Sequence, residues 1–427
     1  MTEFNPPRGT TDLLTDRADS MLGLYEEAHR LGRLFGYRYV ETPTFEHTEL
    51  FARTAGHTSD VVTKEMYTFE DKGGRSVTLR PEGTAPIMRA YLERAQQLPN
   101  PFKSYYVMTY FRHGRPQAGR LREFRQFGVE VVGDAGPGSD AEVIVIGDRY
   151  LRGRGLRDLT LALNSIGDEV CRPAYRELLV DYLTPFEAQL DEDCRTRLRT
   201  NPMRVMDCKV DGGKDFVLEA PSIVEHLCEP CAEHFAQVRA ELDREGVAYE
   251  LDPRLVRGLD YYTRTAFEFV SGALGESGAT VCGGGRYDGL AEILGGQPTP
   301  GIGFGLGLER LLLAMELEGV PVPASRGPRC FVVTVGGAAR DAGARLVDEL
   351  RGAGVSTARS FGDRPMKAQF KMADRAEAAF VALLGDQELS DGTVTLRRLV
   401  DGIQKTVPAG DAVRWLTRLD DDRADPT

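Results

Sequence analysis

The stretch YFRHGRPQAGRLREFRQFGVEVVG places five arginines, Arg112, Arg115, Arg120, Arg122 and Arg125, within fourteen residues. Guanidinium groups grip phosphate and carboxylate oxygens through paired hydrogen bonds, so a cluster this dense suits a triphosphate or an acidic substrate. The alternative is a hairpin tip carrying screened surface charge. Just beyond the cluster, counting by twos sets Phe127, Val129 and Val131 on one face of an extended segment. Phe124, Gln126, Gly128 and Glu130 fall on the other face. The first face is a core face. A carboxylate on a central strand is costly to desolvate unless a charged or hydrogen-bonding partner meets it, so an ionised Glu130 facing a ligand is expected.

A second arginine, Arg310, follows the glycine-rich GIGFGLGLERLLLAMELEG, in the first turn of a helix expected to begin near Gly307. The amides of a helix start already carry partial positive charge, so a cation there calls for an anion. A surface pair with Glu309 is the plain alternative. Two arginine sites beside strands of one sheet, Arg112 and Arg310, point together to a polyphosphate. The glycine runs themselves, GGGR at 283–286 and GIGFGLG at 301–307, lack the lysine of a phosphate-binding P-loop and the acidic ribose partner of a dinucleotide fold. They offer close backbone approach to a ligand or merely tight turns, and glycine content alone favours the turns.

These residues need a scaffold. The chain has 427 residues, 41% hydrophobic and 28% charged, enough for two or three domains. No apolar run is long enough to span a bilayer. The opening MTEFNPPRGTTDLL has neither an apolar core nor a basic leader, so the expected location is cytoplasmic. Seven scattered cysteines suggest reduced thiols rather than a disulfide framework. A net charge of −12 argues against general nucleic-acid coating and requires any polyanion to be met locally.

Apolar residues at spacings of three and four predict a helix over 16–35, stopped by Gly36. YRYVETPTFE reads as extended, MYTFEDKGGRSVTLRPEGT as a hairpin turning near Gly73 and Gly74, and the chain after Thr84 as helical. Strands resume at LVRGLDYYTRTAFEFV and ATVCGGGRYDGL. The expected fold class is α+β: an antiparallel sheet flanked by helices over 1–167 and 251–322, a helical insertion over 168–250, and an α/β domain over 328–427. The tail LDDDRADPT is expected to fray.

In their order along the chain these segments carry a resemblance. FGYRYVETPTFE with Pro43, FRHGRPQAGRLREFRQFGVEVVG and GIGFGLGLERL resemble motifs 1, 2 and 3 of class II aminoacyl-tRNA synthetases. LVRGLDYYTRTAFEF and GGGRYDGL are similar to two segments peculiar to histidyl-tRNA synthetases, and TLRPEGTAPIMRAY to that family's amino-acid-binding turn. The likeness runs from RGTTDLL to GTVTLRRL.

The resemblance implies a class II catalytic domain with a C-terminal anticodon-binding domain, and activation of L-histidine by ATP before transfer to tRNA(His). It assigns Glu130 and Tyr262 to the substrate imidazole, with Tyr261 as a pocket wall, and Glu82, Gly83, Thr84 and Gln126 to the α-amino end. Arg112 would bind the α-phosphate, Arg310 the γ-phosphate and Arg257 both the α-phosphate and the histidine carboxylate, making these three the catalytic set. Arg120 would join the ATP site and Phe124 would stack on adenine. Mg²⁺ would accompany ATP, with no tightly bound cofactor, and two chains would pair through motif 1 around Pro43, with no membrane partner.

Motif 2 departs from the family at one point: where a glutamate usually follows two residues after the arginine, this chain has Gly114, so either adenine is recognised by backbone carbonyls or another residue, or ATP binding is weakened. A non-catalytic relative that regulates ATP phosphoribosyltransferase is the rival reading, and a tRNA-independent adenylating enzyme a third. Pro328 to Leu416 resembles the anticodon-binding domain and favours the ligase. HLCEPCAEH presents His226, Cys228, Cys231 and His234, with Cys208 as a further zinc candidate, but without a second cysteine pair at finger spacing these read as ordinary helix residues and no metal is expected. Lys367 and Lys371 share a helix face that suits either tRNA phosphate or plain solvent, and Tyr287, like Tyr261, reads as a pocket wall or as aromatic packing.

Overall fold

The structure, a computed structural model, describes residues 4–54, 65–208, 210–275, 280–322 and 327–418. The tail at 419–427 and linker residues 323–326 lie outside the described residues. The chain divides into two compact units, Met1–Pro323 and Ala324–Thr427.

The first unit is organised by an eight-stranded sheet in the order Arg38–Tyr39, Phe102–Phe111, Glu123–Val132, Gly301–Gly307, Thr280–Arg286, Thr263–Ser271, Leu159–Ser165, Glu250–Leu251. The two edge pairings are parallel and all interior ones antiparallel. One face is closed by helices Thr15–Leu34, Pro137–Gly153 and Leu308–Leu317. Their apolar stripes (Met21, Leu24 and Leu31; Val143 and Ile146; Leu311, Leu312 and Met315) bury Phe127, Val129 and Val131. The opposite face of Glu123–Val132 is thereby left for polar groups.

The glycine runs are not turns. Gly283, Gly284 and Gly285 lie within strand Thr280–Arg286, and Gly303 and Gly305 within Gly301–Gly307, at the centre of the sheet. They are glycine because neighbouring side chains lie across them: a Cβ on Gly303 would fall 1.7 Å from Glu130 Oε2, and one on Gly283 would fall 2.6 Å from Arg257 Nη1. Glycine content cannot distinguish a turn from a cleared strand face; register can, and Glu130 pairs directly with Gly303. A second departure concerns LVRGLDYY, which is not strand. The strand starts at Thr263, so Arg257, Tyr261 and Tyr262 come from an irregular segment.

Residues 168–250 are chiefly helical, but they do not stand apart. Phe235, Val238 and Leu242 of helix Glu229–Arg244 belong to the main core, and Tyr175, Leu179 and Leu183 share a second cluster with Tyr261, Tyr262 and Tyr287. His234, a zinc candidate on sequence, is consumed here: its Nε2 lies 2.8 Å from Asp140 Oδ2, a carboxylate that also pairs with the fully buried Arg286. Arg286 further donates to the carbonyls of Asp134 and Gly136, at 2.9 and 3.1 Å. A buried cation met on several sides in this way fixes the end of strand Thr280–Arg286 against helix Pro137–Gly153.

The second unit has a five-stranded sheet, Thr357–Arg359, Cys330–Thr334, Phe380–Leu384, Thr393–Arg398, Gln404–Pro408, parallel at first and antiparallel over the last two pairings. On helix Met366–Arg375, Gln369 and Ala373 face inward while Lys367 and Lys371 are exposed.

Candidate active site

A cavity of about 450 Å³ opens on the polar face of the sheet, lined among others by Glu82, Arg112, Phe124, Arg257, Tyr262 and Arg310. The residues that sequence places at the α-amino end and those it places at the phosphates therefore share one space, with Gly83, Thr84, Arg120, Gln126 and Tyr261 also on its walls.

Glu130, with no exposed surface, does not line the cavity but lies directly behind two residues that do, Thr84 and Tyr106. Three hydroxyls donate to it: Tyr287 Oη to Oε2 at 2.5 Å, and Thr84 Oγ1 and Tyr106 Oη to Oε1 at 2.8 and 3.3 Å. Burial nevertheless outweighs these bonds, and the carboxyl's pKa is pushed up from 4.5 to about 8. Burial thus favours the neutral carboxyl, so the ionised Glu130 expected against a ligand depends on the hydrogen bond that ligand brings. Tyr262, the other residue assigned to the imidazole, packs its ring on Tyr261 with centroids 4.7 Å apart. Tyr287, read as a pocket wall or as aromatic packing, holds the carboxyl. Tyr106 was missed, although it follows from pairing, since it stands opposite Gly128.

Thr84 joins two carboxyls. Its hydroxyl meets Glu130, and its backbone N–H meets Glu82 Oε2 at 2.7 Å, while Ala85 N–H meets Glu82 Oε1 at 3.0 Å. Glu82 so caps the helix Thr84–Arg94, and Tyr261 Oη reaches it at 3.4 Å. A carboxylate accepts about four hydrogen bonds, which leaves room for a substrate ammonium. Gly83 is required by closeness, since a Cβ there would fall 2.4 Å from Tyr110 Oη.

The arginine cluster separates into two groups. Arg112 points into the cavity with its Nε on Pro81 O at 2.8 Å and its guanidinium 5.3 Å from the Phe124 ring centroid. Arg120 is also on the wall, paired with Glu65 at 2.9 Å. Arg125 turns away to Glu309 at 3.1 Å, Arg122 bonds the carbonyl of Gly114 at 3.3 Å, and Arg115 is exposed. The pairing of Arg125 with Glu309 disposes of the simple Arg310–Glu309 pair. Arg310 instead lies on carbonyls, Thr280 O at 2.6 Å and Gly119 O at 3.3 Å. Burial, then Arg120 and Arg112, lower its pKa, and the more distant Glu268 only partly offsets them. Arg257 is different: burial opposes its charge, but an ion pair with Glu268 and the Tyr262 ring below it hold the pKa up. Glu268, on strand Thr263–Ser271, was not singled out by sequence and has no motif of its own. At the departure point, a Cβ on Gly114 would meet Glu65 Oε1 at 2.8 Å, so a carboxylate from elsewhere in the chain stands where the missing side chain would begin.

Residues 9–311 match the family model described as "Histidyl-tRNA synthetase", and 329–419 the one described as "Anticodon binding domain". The histidine–tRNA ligase of Geobacillus thermodenitrificans is 47% identical over 416 residues, covering 97% of this chain and 98% of that protein. The chain belongs to the histidyl-tRNA synthetase family. As such it is an aminoacyl-tRNA ligase. The histidine–tRNA ligase of Moorella thermoacetica is likewise 47% identical over 414 residues, 97% of this chain and 98% of that one. The apo crystal structure of the Staphylococcus aureus histidyl-tRNA synthetase superposes with a TM-score of 0.81 at 39% identity, covering 97% of this chain and 100% of that one. A Bacillus halodurans structure titled as an ATP phosphoribosyltransferase regulatory subunit/histidyl-tRNA synthetase has a TM-score of 0.65 at 24% identity over 90% of this chain and 98% of that one, a likeness of fold alone.

In this synthetase the raised pKa of Glu130 makes a signed prediction. The folded protein keeps a proton there that the unfolded chain gives up near 4.5, so stability falls as pH rises from about 4.5 to about 8 and is flat above. Glu130→Gln removes that loss. Its thermal midpoint relative to the parent, measured without ligands, should climb by several degrees across this window; a constant difference would mean that Glu130 is already ionised.

Proposed function

We propose that the cavity activates L-histidine with ATP and passes the histidyl group to the 3′ end of tRNA(His). The observation that carries this reading is the single space in which Glu82 and Thr84, with the buried Glu130 behind Thr84, share walls with Arg112 and Arg310, guanidiniums that rest on carbonyls and suit phosphates. A neutral imidazole both donates and accepts. Glu130 takes its N–H, Tyr262 Oη faces its other nitrogen, and Tyr287, Thr84 and Tyr106 hold the carboxyl in place. Glu82, with Gln126 and the Thr84 end of its helix, receives the substrate ammonium, whose charge draws both carboxyls towards ionisation.

Arg257 orients the histidine carboxylate against the α-phosphorus. One carboxylate oxygen forms the new P–O bond as the bond to pyrophosphate breaks, and Arg112 and Arg257 stabilise the charge that gathers on the α-phosphoryl oxygens. Arg310 and Arg120 hold the departing phosphates, and Phe124 offers its ring to adenine. Mg²⁺ enters with ATP as part of the substrate, on its β and γ oxygens. In the second step a terminal ribose hydroxyl of tRNA attacks the acyl carbon and AMP leaves. Glu65 is the adenine-side acceptor in place of the missing motif 2 glutamate. Lys367 and Lys371 are offered to tRNA phosphate. The setting is the cytoplasm, consistent with the absence, among the described residues, of a helix long and apolar enough to cross a membrane.

The experiment is histidine-dependent pyrophosphate exchange followed by charging of tRNA(His). Both should occur in the parent. Arg112→Ala and Arg310→Ala should lower exchange by about 10² to 10³-fold, Glu130→Ala should remove the preference for histidine, and Glu65→Ala should raise KM for ATP about tenfold, the cost of one lost hydrogen bond. Exchange without charging would leave a tRNA-independent adenylating enzyme, and neither activity would leave the regulatory reading.

The homodimer is placed at motif 1. Pro43 is exposed, and Phe45 and Phe69, 53% and 46% exposed, set their rings 6.3 Å apart on the small sheet Phe45–His47, Ser76–Leu79, Thr68–Glu70. Paired exposed aromatics of this kind mark interaction surfaces. Phe45→Asp should shift the sedimentation coefficient from dimer towards monomer; an unchanged dimer would move the interface elsewhere.

A further inference from the structure

The helical segment between the two halves of the sheet gathers four side chains that the cavity does not use. Asp168 and Cys171 follow strand Leu159–Ser165, Cys228 is the N-cap of helix Glu229–Arg244, and Cys231 lies in its first turn. One ligand-capable atom from each of the four lies within 4.8 Å of all the others. Asp168 Oδ1 stands 3.5 Å from Cys171 Sγ and 3.8 Å from Cys228 Sγ. In a tetrahedral zinc centre with bonds of about 2.3 Å, ligand atoms are about 3.8 Å apart. The spacings along the chain, Asp-x-x-Cys and Cys-x-x-Cys, are those of paired zinc ligands.

The surroundings fit a centre of net charge −2, which three thiolates, one carboxylate and a divalent zinc would make. Arg264 pairs with Asp168 at 3.4 Å, and Arg172 interacts electrostatically with Cys171, Asp168 and Cys231. The start of helix Glu229–Arg244 adds its own positive end. Gly167, at φ +64°, lets the chain pass: a Cβ there would sit 2.6 Å from Cys171 Sγ. The candidates that sequence had offered beside Cys228 and Cys231 are elsewhere, His234 on Asp140 and the exposed His226 stacked on Tyr175. The other cysteine–carboxylate group, Asp191, Cys194, Cys208 and Asp211, offers two thiols rather than three, and the Lys214 ammonium already neutralises Asp211 at 2.6 Å.

We propose that Asp168, Cys171, Cys228 and Cys231 bind one zinc ion in a closed, four-ligand, structural site. Binding displaces the thiol protons to solvent and joins the end of strand Leu159–Ser165 to helix Glu229–Arg244. Its influence reaches the cavity through Arg172, which donates to the carbonyls of Ile166, Gly167 and Tyr262, and through Arg264, whose N–H meets Gly167 O at 2.7 Å. The metal therefore positions the Tyr261–Tyr262 segment without touching substrate.

The test is zinc content per chain of the full-length, tag-free protein purified under reducing conditions, by elemental analysis, together with the absorption spectrum after exchange into Co²⁺. One zinc is expected in the parent and in Cys194→Ser, none in Cys231→Ser or the half-buried Cys228→Ser, with a thiolate-to-cobalt charge-transfer band in the parent alone. Loss of the metal should raise KM for histidine severalfold and leave KM for ATP unchanged. Should a serine variant fail to fold, the cobalt spectrum of the parent decides. The proposal is overturned if the parent takes up neither zinc nor cobalt, if Cys231→Ser retains its full zinc, or if thiol counting finds two of the three cysteines joined as a disulfide.

Discussion

A carboxyl group buried without a cation is the constraint around which the catalytic unit is arranged. Glu130 reaches its place only because Gly303, directly across the strand pairing, has no side chain. It stays there because Tyr287, Thr84 and Tyr106 donate to its oxygens. Those donors come from three separate parts of the chain, so the carboxyl is held only when the sheet is closed and the helix Thr84–Arg94 is docked. Thr84 then extends the arrangement to Glu82, and Glu82 to Tyr261. A shift in any of them would be felt by both carboxyls.

The other end of the cavity is arranged by the opposite omission. Arg112 and Arg310 rest on carbonyl oxygens rather than carboxylates, and burial lowers the pKa of both. The nearby carboxylates are engaged elsewhere, Glu309 with Arg125 and Glu268 with Arg257. Arg112 and Arg310 thus offer a triphosphate guanidiniums that form no ion pair among the described residues, while a buried carboxyl lies behind Thr84 at the other end. Selectivity and charge stabilisation thus come from groups poised in their less comfortable state.

Much of this was legible in the sequence, for physical reasons. The period-two count on LREFRQFGVEVVG found the polar face because a strand with one face in the core must alternate, and Arg310 was flagged because a cation at a helix start lacks a local reason. What escaped depended on pairing between distant segments. The glycine runs looked like turns until register set them opposite Glu130. Tyr287 read as a pocket wall or as packing, and its hydroxyl holds the central carboxyl. The cysteine grouping failed for the same reason: Cys228 and Cys231 found Cys171 and Asp168, some sixty residues earlier, whereas adjacency had suggested His226 and His234.

The central claim is that Glu130 is neutral in the empty pocket and becomes a carboxylate against the imidazole. Difference infrared spectroscopy of histidine binding at pH 7, with Glu130→Gln as the reference, measures it directly. The account predicts a protonated-carboxyl C=O band in the free protein that disappears on binding and is missing from the variant. A free protein without that band, or a band that histidine leaves unchanged, would contradict it.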